Sequence, residues 1–449
     1  MTPMTRTALR HFSRAILALL LLGAIAWAES VDVALEIANP VLLKNQKTTT
    51  YLRLSMTGKE PADAEHRAPV NVAFVIDKSG SMQGEKIARA KEAIRMAIEK
   101  LRSDDIVSVV AYDTNVRVLV PATKLTDKQP VYSAVAQLNA DGSTALFAGV
   151  SKGATELRKF LDKDRVNRIV LLSDGIANVG PSSPGDLAEL GTSLGREGIA
   201  VTTIGLGLDY NEDLMTKLAQ SSDGNHMFAE NAADLEQTFM REFGDVLTVV
   251  AQEVKVEINC ADGVRPVRML GREADIAGQK VTLTLNQLYG GQTKYAIVEV
   301  EVPVNFAADS PGTVSDIAGA LVKYRDIEGQ SPHSFTRMVS TRFTDSSEEV
   351  EKNVNTDVMT AAIYQIGVER NIMAMQLRDE GKVEEARQAL FSNVYYLEQN
   401  ADLYGDAKLK EEAARNSSNA ANVATPFWGL ERKKMKADQY QSINQQKAR

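Results

Sequence analysis

Five side chains stand at spacings that let their oxygens meet on one cation. Asp77, Ser79 and Ser81 alternate through the segment Asp77-Lys78-Ser79-Gly80-Ser81-Met82. Alternate residues of a tight loop converge on a point, and Gly80 supplies the backbone freedom for the turn. Thr144 ends the segment Asp141-Gly142-Ser143-Thr144, and Asp174 sits within Ser173-Asp174-Gly175. All the donors are hard oxygens, with no Cys or His among them. Such a set suits Mg²⁺, and secondarily Mn²⁺ or Ca²⁺, rather than zinc or copper. An octahedral ion held by neutral hydroxyls and waters keeps a coordination position for a further ligand.

These residues have to be brought together by the elements around them. Asp77 closes the apolar run 72–76, and similar runs follow at 106–111, 169–172 and 199–204. None alternates cleanly, as expected of strands buried on both faces. Between the first two, Ile87, Ile94, Ile98 and Leu101 share one helical face, with Ala90 and Ala97 filling the gaps. Further helices are expected over 145–161, 187–197, 212–220 and 232–246. Strands alternating with helices predict an α/β domain over 70–248, with a doubly wound, mostly parallel sheet. Asp77 and Asp174 then fall at the carboxyl ends of strands, the edge where open α/β sheets bind ligands.

In order and spacing, the run 72–82 together with Thr144 and Ser173-Asp174-Gly175 resembles the metal-ion-dependent adhesion site of von Willebrand factor type A domains, which are Rossmann-like. The resemblance extends over 70–247. It implies that Asp77, Ser79, Ser81, Thr144 and Asp174 form the metal shell and that an exposed Asp or Glu of a protein partner completes it. The implied function is divalent-metal-dependent protein binding or adhesion outside the cytoplasm. The flanking layout is similar to that of exported bacterial proteins of this type. A structural or assembly role in the cell envelope, using the flanking regions, is the alternative.

Outside 70–248 the periodicity changes. Val31, Val33, Leu35 and Ile37 alternate with polar or small residues, as do Leu52, Leu54 and Met56, before a polar linker at 58–69. Alternation returns after 249 with Val254, Val256 and Ile258, then Val281, Leu283 and Leu285, then Val298, Val300 and Val302, and a fourth strand is expected over 319–324. This predicts a β-sandwich over 249–345. Two isolated strands are marginal in water, so residues 30–60 of the N-terminal β segment and linker 29–69 are expected to complete the sandwich, with the α/β domain inserted between its parts. A helical hairpin is expected over 346–415, where Gly381 separates two amphipathic faces. The remaining 416–449 reads as a polar, basic tail with a solvated helix carrying Arg432-Lys433-Lys434.

Composition narrows the function further. Residues 1–28 have the form of a signal peptide: Arg6, Arg10 and Arg14, an apolar run over 15–25, then Ala26-Trp27-Ala28. Its removal leaves 48 basic against 59 acidic residues, which disfavours nucleic acid as a partner. No later segment is apolar enough to span a membrane, so the product is expected to be exported, periplasmic or at the cell surface. Cys260 is the only cysteine, so no internal disulfide forms, and its thiol is expected to be packed. No nucleophile-elbow, zinc-protease, P-loop or dinucleotide motif occurs, and His66, His226 and His333 are scattered. Catalysis is therefore not expected. Asp113 and Asp141 near the same edge are assigned to turns and caps.

Overall fold

The computed structural model describes residues 30–60, 67–304, 306, 312–327 and 330–444. The expected signal peptide and His66 lie outside the described residues.

The chain opens with β1 (Val31–Ile37), β2 (Val41–Leu43) and β3 (Thr48–Gly58). Strands β1 and β3 are antiparallel, pairing Val31 with Gly58 and Ile37 with Leu52. Their alternate side chains, including Val31, Leu52, Leu54 and Met56, are buried, so period-two sequence has become a one-sided sheet.

The α/β domain follows as β4 (Val70–Asp77), α1 (Glu85–Lys100), β5 (Ile106–Tyr112), β6 (Val116–Lys124), α2 (Gln129–Ala136), α3 (Leu146–Leu157), β7 (Val166–Ser173), α4 (Pro184–Arg196), β8 (Ile199–Leu206), α5 (Glu212–Ser221), β9 (His226–Ala229) and α6 (Ala232–Val246). Its sheet runs β6-β5-β4-β7-β8-β9. All pairs are parallel except the β5–β6 hairpin. Every residue of β4, β5, β7 and β8 is buried, because helices cover both faces. One face is covered by α1 and α6, and α6 brings Phe239 and Phe243 onto Phe74, with ring centroids 5.8 and 5.9 Å away. On the other, α3, α4 and α5 cover Ala73, Val75, Ile169 and Leu171. The chain works outward from β4 in one direction and from β7 in the other. The crevice between these strands is therefore the topological switch point of the sheet.

The second β region comprises β10 (Val249–Cys260), β11 (Arg265–Leu270), β12 (Asp275–Ala277), β13 (Lys280–Tyr289), β14 (Thr293–Val302), β15 (Val314–Asp326) and β16 (Pro332–Thr344). Strand β3 pairs with β14 from Thr57–Thr293 to Thr48–Val302, and β2 runs parallel to β16. The two sheets, β1-β3-β14-β11 and β12-β13-β10-β15-β16-β2, thus both contain strands from before the α/β domain. Insertion is as expected, although β2, β11, β12 and β16 add strands that the alternation alone did not reveal. Cys260 is buried in this region, and burial pushes its thiol up to about 11. His333 stands in β16, stacked on Tyr324 at 5.3 Å.

Five helices end the chain: α7 (Ser347–Lys352), α8 (Thr356–Asp379), α9 (Val383–Tyr404), α10 (Ala407–Asn422) and α11 (Trp428–Ile443). The α8–α9 hairpin matches expectation, but the basic tail helix is not solvated. Lys433 on α11 is buried; its Nζ lies 2.5 Å from Glu212 Oε2 and donates to the Tyr210 carbonyl at 2.7 Å. Arg432 joins Glu212 and Asp213 on α5 to Asp379 on α8. The Tyr440 hydroxyl donates to the Gly224 carbonyl at 2.6 Å. Cations that look solvated along the sequence are therefore the counter-charges of acids more than 200 residues away. Met375 is core while Met373 is exposed, and Asn416 is fully buried.

The α/β domain is locked to its neighbours by two buried polar nodes. Arg168 at the start of β7 is wholly buried and donates to Gln287 Oε1 at 2.6 Å and Tyr289 Oη at 2.7 Å on β13. It also donates to Thr202 Oγ1 at 3.1 Å and lies 3.8 Å from Glu242 on α6. Removing one member of a buried charged network costs about 3–5 kcal/mol, because the other charge is left alone. We expect Arg168→Met to lower the unfolding free energy by about that amount in denaturant titrations. Arg168→Met combined with Glu242→Gln should lose less than the single change.

The second node is His226, wholly buried against Tyr440 of α11, with ring centroids 5.8 Å apart. Its Nδ1 meets Thr203 Oγ1 at 2.9 Å, while Nε2 has no hydrogen-bond partner. Burial, reinforced by Lys433 and Lys436, pushes its pKa down to about 3. A depressed folded-state pKa means the unfolded chain binds the proton more readily, so stability is full above about 6.5 and is lost as pH falls towards 3. His226→Phe should flatten that part of the stability–pH curve, measured as melting temperature between pH 7 and 4.

Candidate functional site

The five candidate residues converge at the carboxyl edge of β4 and β7. Asp77 is the last residue of β4, and the chain then turns through a 3₁₀ segment, Gly80–Met82, whose Met82 is fully buried as an anchor. Neighbouring loops hold this turn by backbone bonds: Lys78 N–H to the Tyr112 carbonyl at 2.8 Å, Asp141 N–H to the Lys78 carbonyl at 2.7 Å, and Gly80 N–H to the Gly142 carbonyl at 3.0 Å. Gly142 has φ of 81°, and a side chain there would meet Thr114 Oγ1 at 2.9 Å, so glycine is required. Thr144 is held by its N–H to Asn178 Oδ1 at 2.9 Å.

The carboxylates are buried while one hydroxyl faces outward. Asp77 and Asp174 have no exposed surface, Ser79 and Thr144 almost none, and Ser81 is exposed. Asp77 Oδ1 accepts the Ser79 N–H at 2.8 Å, and its Oδ2 accepts the Ser173 hydroxyl at 2.6 Å and, more weakly, the Tyr112 hydroxyl at 3.5 Å. Asp174 Oδ1 accepts the Ser81 hydroxyl at 2.6 Å, and Oδ2 lies 2.5 Å from Lys86 Nζ. Burial raises the Asp77 pKa, opposed by the hydrogen bonds from Ser173 and Ser79 and assisted by the Asp174 charge. Burial likewise holds the Tyr112 hydroxyl protonated, so it acts as a donor shared between the Leu172 carbonyl at 3.3 Å and Asp77 at 3.5 Å.

The hydroxyls meet at Gly175. A Cβ at that position would lie 3.0 Å from Thr144 Oγ1, 3.4 Å from Ser81 Oγ and 3.7 Å from Ser79 Oγ. Ser79 and Ser81 hydroxyls are 3.0 Å apart. Three neutral oxygens from two loops therefore surround one small space beside Gly175, with two buried carboxylates behind them. This donor chemistry fits a small hard cation. Among the described residues no group of three or more His, Cys, Asp or Glu is placed to hold a metal, so a cation here depends on the mixed hydroxyl and carboxylate set.

Asp113 and Asp141 serve the loops: Asp113 pairs with Lys78 and accepts the Asn115 N–H, and Asp141 accepts the Gly142 N–H. Sequence reasoning did not assign roles to Ser173, Tyr112 or Lys86. Tyr112 is level with Asp77 in the β4–β5 register, a placement that pairing, not spacing, reveals. Lys86 left one signal, a cation in the first turn of a helix, where the macrodipole disfavours it.

The order of strands, the position of the loops and the oxygen set define a class. Residues 71–241 match the model of the von Willebrand factor type A domain, and the chain carries such a domain, homologous to that of other type A proteins. It is a protein-interaction fold, and typically a non-catalytic one. The chain is 28% identical over 302 residues to the Escherichia coli protein YfbK, covering 63% of this chain and 52% of that protein. It therefore spans about half the length of that relative. Among solved structures it is similar to a von Willebrand factor type A protein from Catenulispora acidiphila, with a TM-score of 0.65 and 17% identity over 87% of this chain and 97% of that one. It is also similar to the ArnB paralog VWA2 from Sulfolobus acidocaldarius, with a TM-score of 0.61 and 16% identity over 92% and 98%. At these identities the likeness concerns the fold, and it extends across the sandwich and helical regions as well as the type A domain.

Ser173→Ala tests the local electrostatics. Loss of a hydrogen bond to a buried charge should cost about 1–3 kcal/mol at neutral pH. It should also raise the Asp77 pKa further, because the lost bond favours the ionised form. The deficit should shrink as pH falls through that raised pKa and the carboxyl is protonated. Denaturant titrations in chelator at pH 7 and pH 4 would measure both effects.

Proposed function

We propose that this chain binds another protein through a divalent cation, with an acidic side chain of the partner completing the coordination. The observation that carries this reading is the meeting of the Ser79, Ser81 and Thr144 hydroxyls beside Gly175, backed by Asp77 and Asp174, at an exposed edge. These five residues would hold Mg²⁺, or secondarily Mn²⁺ or Ca²⁺. When bound, such an ion supplies a positive centre that an incoming carboxylate can ligate. The protein's own part is to fix those hydroxyls through the crossed backbone bonds of three loops, and to keep both carboxylates out of water.

The rim supports a protein partner. Ile176 follows Gly175 and Leu208 follows the end of β8; they are 60% and 53% exposed. Ser173 pairs with Gly205 in the sheet register, so both apolar side chains lie three residues beyond a matched pair, on adjacent loops. Exposed apolar groups around a polar centre are a mark of interaction sites. Export, with a mature chain starting at Glu29, belongs to the same reading and rests on residues 1–28. Among the described residues no helix is long and apolar enough to cross a membrane. An assembly role in the cell envelope is the second reading, favoured by the exposed Phe391, Tyr395 and Leu403 on α9.

Calorimetric titration of chelator-stripped protein with Mg²⁺ and Mn²⁺, alone and with a short acidic peptide, tests the proposal. Wild type should bind the metal and then the peptide. Asp77→Ala should lose metal binding at least tenfold while keeping its circular dichroism, and chelation should release the peptide completely. Absence of metal binding in wild type, with and without peptide, would overturn the proposal and leave the assembly role.

A further inference from the structure

We infer that Lys86 is a resident counter-charge of the site, one that a divalent cation must displace from Asp174, and that it thereby sets the balance between metal affinity and affinity for an acidic ligand. This rests on the metal-binding reading above.

The two buried carboxylates are served differently. Asp77 is surrounded by neutral donors only: the Ser79 N–H and the hydroxyls of Ser173 and Tyr112. Asp174 has the Ser81 hydroxyl on one oxygen and the Lys86 ammonium 2.5 Å from the other. Its side chain is wholly buried, whereas that of Lys86 is 28% exposed. The neighbouring Lys78 is committed to Asp113. Lys86 is thus the cation that answers the site's negative charge, and it reaches in from the solvent side on a flexible stem.

Its placement on the helix is locally unfavourable. Lys86 is the second residue of α1, within the first turn, where the helix dipole favours anions. A residue set against its local preference is a place to look for a functional reason. Here Asp174 supplies it: a buried carboxylate without a counter-charge is strongly destabilising.

The charge count gives the consequence. Two carboxylates and one ammonium sum to −1, so a divalent ion brings the site to +1, and an incoming carboxylate then brings it to zero. Without Lys86 the same steps run from −2 to zero and then to −1. The lysine therefore weakens metal binding and strengthens the capture of an acidic group. Partial exposure of its side chain means screening limits the effect.

Lys86→Met and Lys86→Gln keep much of the stem and remove the charge, whereas Lys86→Arg keeps the charge. Calorimetry with Mg²⁺ on chelator-stripped full-length protein should give at least tenfold tighter binding for Lys86→Met and Lys86→Gln, with Lys86→Arg within about threefold of wild type. Both neutral variants should melt below wild type in chelator, and saturating Mg²⁺ should close that gap. If wild type binds Mg²⁺ and the neutral variants bind equally or less tightly, the role of Lys86 is overturned while the metal site stands. If neither wild type nor variants bind, both ideas fall.

Discussion

One carboxylate without exposed surface ends β4 and another directly follows the adjacent β7, and much of the surrounding structure exists to make that tolerable. A buried charge is strongly unfavourable unless it is paired or richly hydrogen-bonded. Asp77 is met by a backbone N–H and two hydroxyls, and Asp174 by a hydroxyl and an ammonium. Those donors come from the turn after β4, from β5, from α1 and from the end of β7. Fixing them fixes the mutual position of the loops, and the position of the loops is the site.

The contacts of the sheet with the rest of the chain are held as firmly. Arg168 enters the sandwich through Gln287 and Tyr289, and α11 closes over β9 and α5 through Tyr440, Lys433 and Arg432. Both nodes rest on charge and hydrogen bonding rather than on apolar area alone, which gives directional contacts that specify one arrangement. Glu242 on α6 belongs to the first node, also accepting from Asn225 at 2.7 Å. The last helix of the type A domain is therefore tied at its carboxyl end to the rest of the molecule.

Much of this was legible in sequence where the signal is local. The apolar runs at 72–76 and 169–172 read as two-face-buried strands, and the alternating runs at 31–37 and 254–258 as one-sided ones. The five oxygens were found because they lie in loops that directly follow such strands or precede a helix. Contacts made across the fold were not legible. Arg432 and Lys433 look like surface charges until α5 is placed beside them, and β16 looks too polar for a strand until its partner β15 is known. Lys86 belongs to this second group: its role depends on a carboxylate 88 positions further on.

Interrupting one sandwich with another domain also imposes an order in time. Strand β3 finds its partner β14 only through pairs such as Thr57 with Thr293, roughly 240 residues later. At roughly 5–20 residues per second, that is about 10–50 s of synthesis. Throughout that interval the β1–β3 hairpin carries an open edge, while the intervening domain has everything it needs for its own sheet. The inserted unit is the natural first nucleus, and its closure brings 67–70 and 246–249 to the sandwich side as anchored ends. The sandwich is then assembled onto a finished base, with far less chain entropy left to lose than if its halves had to search for one another freely.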